Sequence, residues 1–335
     1  MTGSESPPRA ARVGVREVAA HAGVSTQTVS RVINDYPGIR PQTRERVRAA
    51  MADLGYRVNN AARALGTSTT RTLGVVASDA ALHGPAVGIA SLEAAARAAG
   101  RWISTAYADA GDEASVEGAV DHLLAQGVDG IVVLAPHAET LDRAREAAGG
   151  VRVAAMHSGP GAQRQSDAAG LVVDHVVALG HRRIARLSGP MDWAEAVARD
   201  AGARDALHRA GLEPGLQWAG DWTAASGARV AAEIADVART PDGPTAIVVA
   251  NDQMALGLIA GLERAGVSVP TAVSVAGFDD NADAAFYRPA LTTVRIDLVG
   301  EARRAVAEAL GLPGSAGPQP PALVPRASTA PPRDA

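Results

Sequence analysis

The sequence contains no cysteine and no lysine, although it has 335 residues and 32 basic side chains. Without cysteine, neither a disulfide framework nor a thiolate zinc site can form. No apolar run approaches the ~18 residues of a membrane-spanning helix. The start, MTGSESPPRAARVG, also lacks the apolar segment of a secretory signal. We therefore expect a cytoplasmic protein of two or three domains.

The small net charge of −4 hides an uneven distribution. The segment from Arg9 to Thr72 contains 11 arginines and four acidic residues, so its net charge is +7 and the rest of the chain is acidic. A basic head on an acidic body is typical of a DNA-binding protein with a separate small-molecule domain.

The stretch VREVAAHAGVSTQTVSRVIN, residues 15–34, has apolar residues at helical spacing on both sides of Gly23. Glycine readily takes the positive φ that ends a helix, and Ser25 is a good N-cap for the helix that follows. Two short helices around such a turn predict a helix-turn-helix. A third helix, from about Pro41 to Leu54, would close a small core.

The second helix presents Thr26, Gln27, Ser30 and Arg31 outward. Glutamine can pair with adenine, and arginine can either pair with guanine or hold a phosphate. The alternative is a solvated polar face on an ordinary helical hairpin. The segment after the third helix predicts a short hinge helix, residues 61–65, which is too short to be stable alone.

From Leu73 onward, apolar runs alternate with helical patterns. The runs are TLGVVAS, RWISTAYA, GIVVLAP, VRVAAMH, RIARLSG, TAIVVAN and VSVAGFD, with PALVPR as a candidate last strand. Buried parallel strands that alternate with helices predict a doubly wound α/β fold, which binds ligands at the carboxyl ends of its strands. Helices are expected near 87–99, 114–126, 138–148, 168–179, 193–210, 226–239 and 253–265.

Over about residues 13–327, the sequence resembles the LacI/GalR family. The matching motifs are GVSTQTVSRVIN, TRERVRAAMADLGY, NNAARAL, ALHGP, LLAQGVDGIV, DHVVALGHRRIA, GDWTAASG, VANDQMALG, VAGFDD and PALTTVRID. The resemblance implies an all-α helix-turn-helix DNA-binding head plus a hinge helix. These would join an α/β two-lobed core of doubly wound parallel sheets, like that of periplasmic binding proteins. It also implies a homodimer that binds operator DNA and a small effector.

The resemblance divides the chain into five regions. They are a disordered arm (1–12), the DNA-binding domain (13–58), the hinge and linker (59–70), the core (71–327) and a disordered tail (328–335). Within the core, the N-lobe would take about 71–166 and 297–312, and the C-lobe about 167–296 and 321–327.

The resemblance also implies two sets of functional residues. The DNA-contacting set is Thr26, Gln27, Ser30, Arg31, Asn34, Asn59, Ala62 and Leu65. An apolar side chain such as Leu65 can wedge into the minor groove and kink DNA, although it could instead pack between hinge and core. The effector-binding set is Leu82, Pro85, His157, Arg199, Trp222, Asn251, Asp279 and Ile296.

The effector set suits a polyol, because Arg199 donates hydrogen bonds, Asp279 accepts them and Asn251 does both. Trp222 would stack beneath a pyranose ring. Taken singly, these residues could equally be a turn cap, a core aromatic or a surface ion pair.

Three positions depart from the branch of the family that the sequence resembles most. His157 stands where that branch has a cleft carboxylate, Ile296 where it has a glutamine, and Gly88 where it has a bulky apolar residue. The segment between His157 and the DHVVALGH helix is about six residues shorter. The resemblance still makes a galactoside-like effector the first expectation, although these departures change the residues that would contact its hydroxyls. A non-sugar effector such as a purine is the alternative.

Two other classes of function compete with a sugar-responsive repressor. One is a sugar-binding module without a regulatory role, against which the basic head argues. The other is a glycosidase that uses Asp279 and Asp280. Adjacent residues in one turn rarely face each other across the ~5–9 Å that this reaction requires. We expect no enzyme activity, no cofactor and no metal.

Overall fold

The computed structural model describes residues 13–58, 69–78, 82–109, 111–134, 137–314 and 317–332. The chain divides into two compact units, residues 1–70 and 71–335. The predicted arm (1–12) and hinge helix (61–65) lie outside the described residues, as do the last three residues of the predicted tail.

The first unit contains the helix-turn-helix that the sequence predicts. Its helices are α1 (Val15–Ala22), α2 (Thr26–Ile33) and α3 (Pro41–Asp53). Gly23 ends α1 with a φ of 62°, and the Ser25 hydroxyl accepts a hydrogen bond of 3.1 Å from the backbone N–H of Thr28. Val18, Val29 and Val47, one from each helix, are fully buried. This small core fixes how α2 is presented.

The first lobe of the second unit is a parallel sheet with helices packed on it. Its strand order is β2-β1-β3-β4. The strands are β1 (Thr72–Ala77), β2 (Trp102–Tyr107), β3 (Gly130–Leu134) and β4 (Val153–Ala155). The helices are α4 (His83–Ala98), α5 (Glu113–Ala125), α6 (Ala138–Ala147) and, from far along the chain, α11 (Leu298–Leu310).

The second lobe repeats this architecture with the strand order β6-β5-β7-β8. Its strands are β5 (Ile184–Ser188), β6 (Gln217–Ala219), β7 (Ala246–Val249) and β8 (Ser274–Ala276). Its helices are α7 (Pro160–Ala178), α8 (Ala194–Arg209), α9 (Ala224–Ala238) and α10 (Asp252–Arg264). An antiparallel pair, β9 (Thr293–Arg295) and β10 (Ala322–Val324), completes the lobe. The predicted two-lobed α/β fold is confirmed.

The chain passes between the lobes three times: after β4, after β9 and after α11. Every strand of both four-stranded sheets is parallel to its neighbours. In such sheets the loops at the carboxyl ends of the strands form the ligand-binding crevice. The fold therefore places the ligand-binding crevice of each lobe at these loops.

The sequence did not predict the start of α7. The helix was expected near 168–179 but begins at Pro160. Proline suits the first position of a helix because its missing N–H has no partner there. The expected lobe boundary at 166/167 consequently falls inside a continuous helix.

The prediction of a disordered tail from residue 328 is wrong for residues 328–332. Ser328 is fully buried, its hydroxyl donates to the carbonyl of Val275 at 2.6 Å, and its carbonyl accepts from the N–H of Val275 at 2.9 Å. The tail therefore provides hydrogen-bond partners for the backbone N–H and carbonyl of Val275 on β8. Because its hydrogen-bond partners are distant in sequence, the composition of the tail alone predicted disorder.

No helix within the described ranges is long and apolar enough to cross a membrane.

Candidate functional site

The DNA-contacting residues predicted on α2 lie on its solvent-facing side. The side chains of Thr26, Gln27, Ser30 and Arg31 are all exposed. Asn34, at the end of the helix, is half-buried, and its amide nitrogen donates to the Ser30 hydroxyl at 3.5 Å. Asn59, Ala62 and Leu65 lie outside the described residues. The arrangement leaves four polar side chains free to meet base edges or phosphates.

An aromatic residue that the sequence did not single out supports Arg31. The guanidinium carbon of Arg31 lies 5.4 Å from the ring centroid of Tyr36. The backbone N–H of Tyr36 also donates to the Arg31 carbonyl at 2.9 Å. An exposed cation–π contact of this kind contributes about 0.5–1 kcal/mol. Tyr36 therefore favours this placement of the guanidinium without fixing it.

All eight residues predicted to bind the effector line one cavity in the second unit. Most of them lie at or just beyond the carboxyl ends of strands in both lobes, whereas Arg199 lies within α8. Leu82 and Pro85 follow β1, His157 follows β4, and Asp279 follows β8. Convergence does not itself show that these residues bind a ligand, so their roles remain predictions.

The guanidinium of Arg199 is the most highly connected group in this cavity. Its Nη2 lies 3.2 Å from a carboxylate oxygen of Asp279, and both side chains are about nine-tenths buried. Nε donates to Gln165 at 2.8 Å, and Nη1 donates to the carbonyl of Ala250. The guanidinium carbon also lies 3.8 Å from the ring centroid of Phe278. A charge pair held this firmly presents a fixed donor and a fixed acceptor to a ligand.

Asn251 has a structural role that the sequence did not reveal. Its amide oxygen caps α10 by accepting from the N–H of Met254 at 2.8 Å. Its amide nitrogen donates to the carbonyl of Trp222 at 3.0 Å. An amide has two lone pairs and two N–H groups. One acceptor and one donor position of Asn251 are therefore left for a ligand.

Trp222 is held in the wall of the cavity with a φ of 70°. Its ring packs on Gly189, where an added Cβ would lie 2.3 Å from the indole, and it meets the Trp193 ring edge-on at 6.0 Å. Only 5% of Trp222 is exposed, and its indole nitrogen has no partner among the described residues. His157 and Asp279 also have positive φ, at 64° and 111°. Such backbone strain clusters at functional sites.

Glu195 also lines the cavity, and its buried carboxyl was not among the residues that the sequence predicted. It lies on α8 one turn before Arg199, only 7% exposed, and one carboxylate oxygen has no partner among the described residues. Burial raises its pKa from 4.5 to about 7. Its spacing of four residues from Arg199 on a predicted helix was the available signal.

Leu134 is a second missed residue, and it explains the departure at Gly88. A Cβ at Gly88 would lie 2.7 Å from a methyl carbon of Leu134. The Leu134 side chain therefore fills the volume that a larger residue at 88 would occupy. Together with Ile296, Leu298 and Leu82, it adds apolar side chains to a lining that also includes the charged Arg199 and Asp279.

The two carboxylates of the glycosidase alternative have different partners. Asp279 pairs with Arg199, whereas Asp280 bonds Arg295 at 2.7 Å and Arg326 at 2.6 Å and does not line the cavity. A pair of carboxylates that flank one bond is therefore not formed by these residues. No cluster of His, Asp and Glu within the described ranges is arranged to hold a metal ion.

Comparisons with known proteins agree with both halves of this picture. Residues 15–59 match the family model for bacterial regulatory proteins of the lacI family, and residues 173–329 match a periplasmic binding protein-like domain. The lactose operon repressor of Escherichia coli (strain K12) is 36% identical over 293 residues, which is 85% of this chain and 80% of that protein. The regulator CelR of Thermobifida fusca is 33% identical, over 85% of this chain and 87% of that protein.

Solved structures give the same result. A lac repressor dimer bound to operator and the anti-inducer ONPF superposes with a TM-score of 0.80 at 33% identity, covering 96% of this chain and all of that one. A CelR–cellobiose complex superposes with a TM-score of 0.67 at 29% identity, covering 95% of this chain and all of that one.

A helix-turn-helix head and a two-lobed core with a cavity define a DNA-binding transcriptional regulator. The chain belongs to the LacI family of bacterial regulatory proteins.

Proposed function

We propose that the chain represses sugar-utilisation genes and is released from its operator by a sugar or glycoside. It binds a pseudo-palindromic operator as a homodimer, one head per half-site, and therefore acts in the cytoplasm, where the DNA is. It is not an enzyme. The observation that carries the effector half of the proposal is the convergence of eight predicted residues on one cavity lined by charged, amide and apolar side chains.

The chemistry of the cavity favours a glycoside. Arg199, Asp279 and Asn251 offer charged and amide groups to hydroxyls, whereas Leu134, Ile296 and their neighbours add apolar side chains to the lining. A galactoside-like effector remains the first candidate, because the lactose repressor is among the relatives. Cellobiose enters the test because a related regulator was solved with it.

The cavity suits an effector that touches both lobes, since each lobe contributes lining residues. Such an effector stabilises one lobe arrangement over another. DNA affinity can then change only by the ratio of effector affinities for the two states. The sign of the effect follows from which arrangement the effector prefers.

The test begins with selection of bound sites from random DNA by the full chain, followed by titration with galactosides, glucosides, cellobiose and purines. We expect a pseudo-palindromic site and loss of binding with at least one sugar. Asp279→Asn should abolish the sugar response and spare operator binding, because its charge lies in the cavity and not in the head. The exposed Asp236→Asn on α9 is the matched control and should respond as wild type. Release by a purine alone would refute the sugar proposal.

A further inference from the structure

A hydrogen-bonded chain connects two residues of the effector cavity through one residue outside it. Arg199 Nε donates to Gln165 Oε1 at 2.8 Å, and Gln165 Nε2 lies 2.9 Å from His157 Nδ1. Gln165, on α7, is only 2% exposed and lines a neighbouring cavity instead. The three groups are therefore held in place by burial as well as by their bonds.

The chemistry of arginine fixes the direction of every bond in this chain. A guanidinium has only donors, so the amide oxygen of Gln165 must face Arg199. The amide nitrogen must then face His157, and because an amide nitrogen only donates, Nδ1 of His157 must accept. An imidazole that accepts at Nδ1 carries its single proton at Nε2.

His157 is kept uncharged by its surroundings. Burial lowers its pKa from 6.5 to about 4. Of the charged groups around it, Glu301 favours the protonated ring, whereas Arg199, Arg304 and Arg164 oppose it. At neutral pH the ring therefore has one proton, and Gln165 determines which nitrogen holds it.

We infer that His157 presents a fixed N–H donor to the effector and that Gln165 is the positioning residue that sets this tautomer. His157 lines both the effector cavity and the neighbouring cavity that Gln165 lines, and its side-chain hydrogen bond is the one at Nδ1, so Nε2 has no hydrogen-bond partner in the described part of the chain. This inference rests on the proposed function and narrows its ligand class. The effector has an oxygen at this place that accepts a hydrogen bond, such as a hydroxyl, ether or carbonyl oxygen.

His157 selects a different ligand group from the one that a carboxylate at the same place would select. A carboxylate only accepts and therefore requires a hydroxyl proton from the ligand. His157 requires only a lone pair, so an ether oxygen satisfies it as well as a hydroxyl does. A ligand group that can only donate, such as an ammonium, is excluded there.

The first test needs no effector. The full chain is labelled with 15N-histidine, and the protonation of each ring nitrogen of His157 is read by NMR at pH 7. We expect Nδ1 to be unprotonated in the wild type and protonated in Gln165→Glu, because a carboxylate cannot donate to it. The matched control is Gln163→Glu, an exposed position on the same helix, which should leave Nδ1 unprotonated. A proton on Nδ1 in the wild type would overturn the inference.

The second test reads the effector by calorimetry, with methyl β-D-galactoside, methyl β-D-glucoside and cellobiose as probes. His157→Gln keeps a donor near the place of Nε2, whereas His157→Glu offers only acceptors. We expect the tightest probe to lose about tenfold or more in affinity with Glu and much less with Gln. Equal losses in both variants would overturn the acceptor requirement. If no sugar binds the wild type, the proposed function fails and the acceptor requirement with it, whereas the NMR result still decides the tautomer.

Discussion

At the scale of single residues, the buried carboxyls of the core tie its stability to pH. Burial raises the pKa of Glu195 to about 7 and that of Asp252 to about 8. Asp252 accepts bonds from the backbone of Asn281 and from the Thr293 hydroxyl, at 2.8 Å and 2.7 Å. Native protein therefore holds protons that the unfolded chain has already released.

We predict that Glu195 contributes a fall in the free energy of unfolding as pH rises from about 4.5 to 7, and that Glu195→Gln removes this contribution. Between these values the native state keeps a proton on Glu195 that the unfolded chain has released, so rising pH favours unfolding through this group. The lowered pKa of His157 acts in the opposite sense and is common to both proteins, so the difference in slope between wild type and variant isolates Glu195. The full Glu195 contribution is on the order of 3 kcal/mol. Urea unfolding at several pH values measures it, with the exposed Glu233→Gln as control. An unchanged slope in Glu195→Gln would show that this carboxyl stays charged.

A second residue-scale prediction decides what Arg31 contacts. Arg31→Lys keeps the positive charge but loses the planar pair of donors that reads guanine. If Arg31 reads a base, we expect ~1–3 kcal/mol weaker binding to the selected operator and relaxed preference at one position. Fluorescence anisotropy with the operator and single-base variants measures both. Uniform retention of affinity and preference would assign Arg31 to a phosphate.

At the scale of elements, α9 and α10 approach so closely that glycine is required between them. A Cβ at Gly257 on α10 would lie 1.7 Å from the backbone oxygen of Ala224 on α9, and one at Gly227 would lie 2.1 Å from the backbone oxygen of Met254. Backbone atoms cannot move aside as a flexible side chain can. The crossing also carries the loops that hold Trp222 and Asn251.

We therefore predict that Gly257→Ala destabilises the core by about 1–3 kcal/mol or more, the usual cost of overpacking. The control is Gly118→Ala on the exposed side of α5, where an added Cβ meets nothing within 4 Å. That change should be neutral or stabilise slightly, because alanine is the better helix former. Urea unfolding midpoints give both values, and equal effects would contradict the close crossing.

At the scale of the whole molecule, the uneven charge distribution predicts that operator binding and effector binding depend differently on salt concentration. Arginine contacts to phosphate release counterions, so operator affinity should fall linearly on logarithmic axes as salt increases, by a slope of about −0.9 per contact. Sugar binding in the buried cavity should change little, because buried pairs are weakly screened. Titrations of one preparation across a salt series compare the two. A flat operator curve would contradict binding through the arginine-rich head.

The sequence by itself determined the classes of structure. Residues 15–34 and the alternating apolar runs specified the helix-turn-helix and the doubly wound α/β class, because their signals are periodic and local. The two lobes and the effector set came from the resemblance to the LacI/GalR family. All eight effector residues line the cavity, because most of them lie where the carboxyl ends of parallel strands meet. The strands β6 (QWA) and β9 (TVR) were not predicted, because neither lies in a longer apolar run, unlike the equally short β4 and β8.

Only the tertiary structure decided how the groups in the cavity are used. The packing of residues 328–332 on β8, the burial that shifts the pKa of Glu195, and the space that Leu134 takes beside Gly88 all depend on partners far away in sequence. The same holds for His157, for which the sequence allowed one donor and one acceptor. Its tautomer is set by Gln165 and Arg199, which meet it only when α7 and α8 pack together. Hydrogen-bond direction is a property of three-dimensional contacts, so periodicity and spacing cannot specify it.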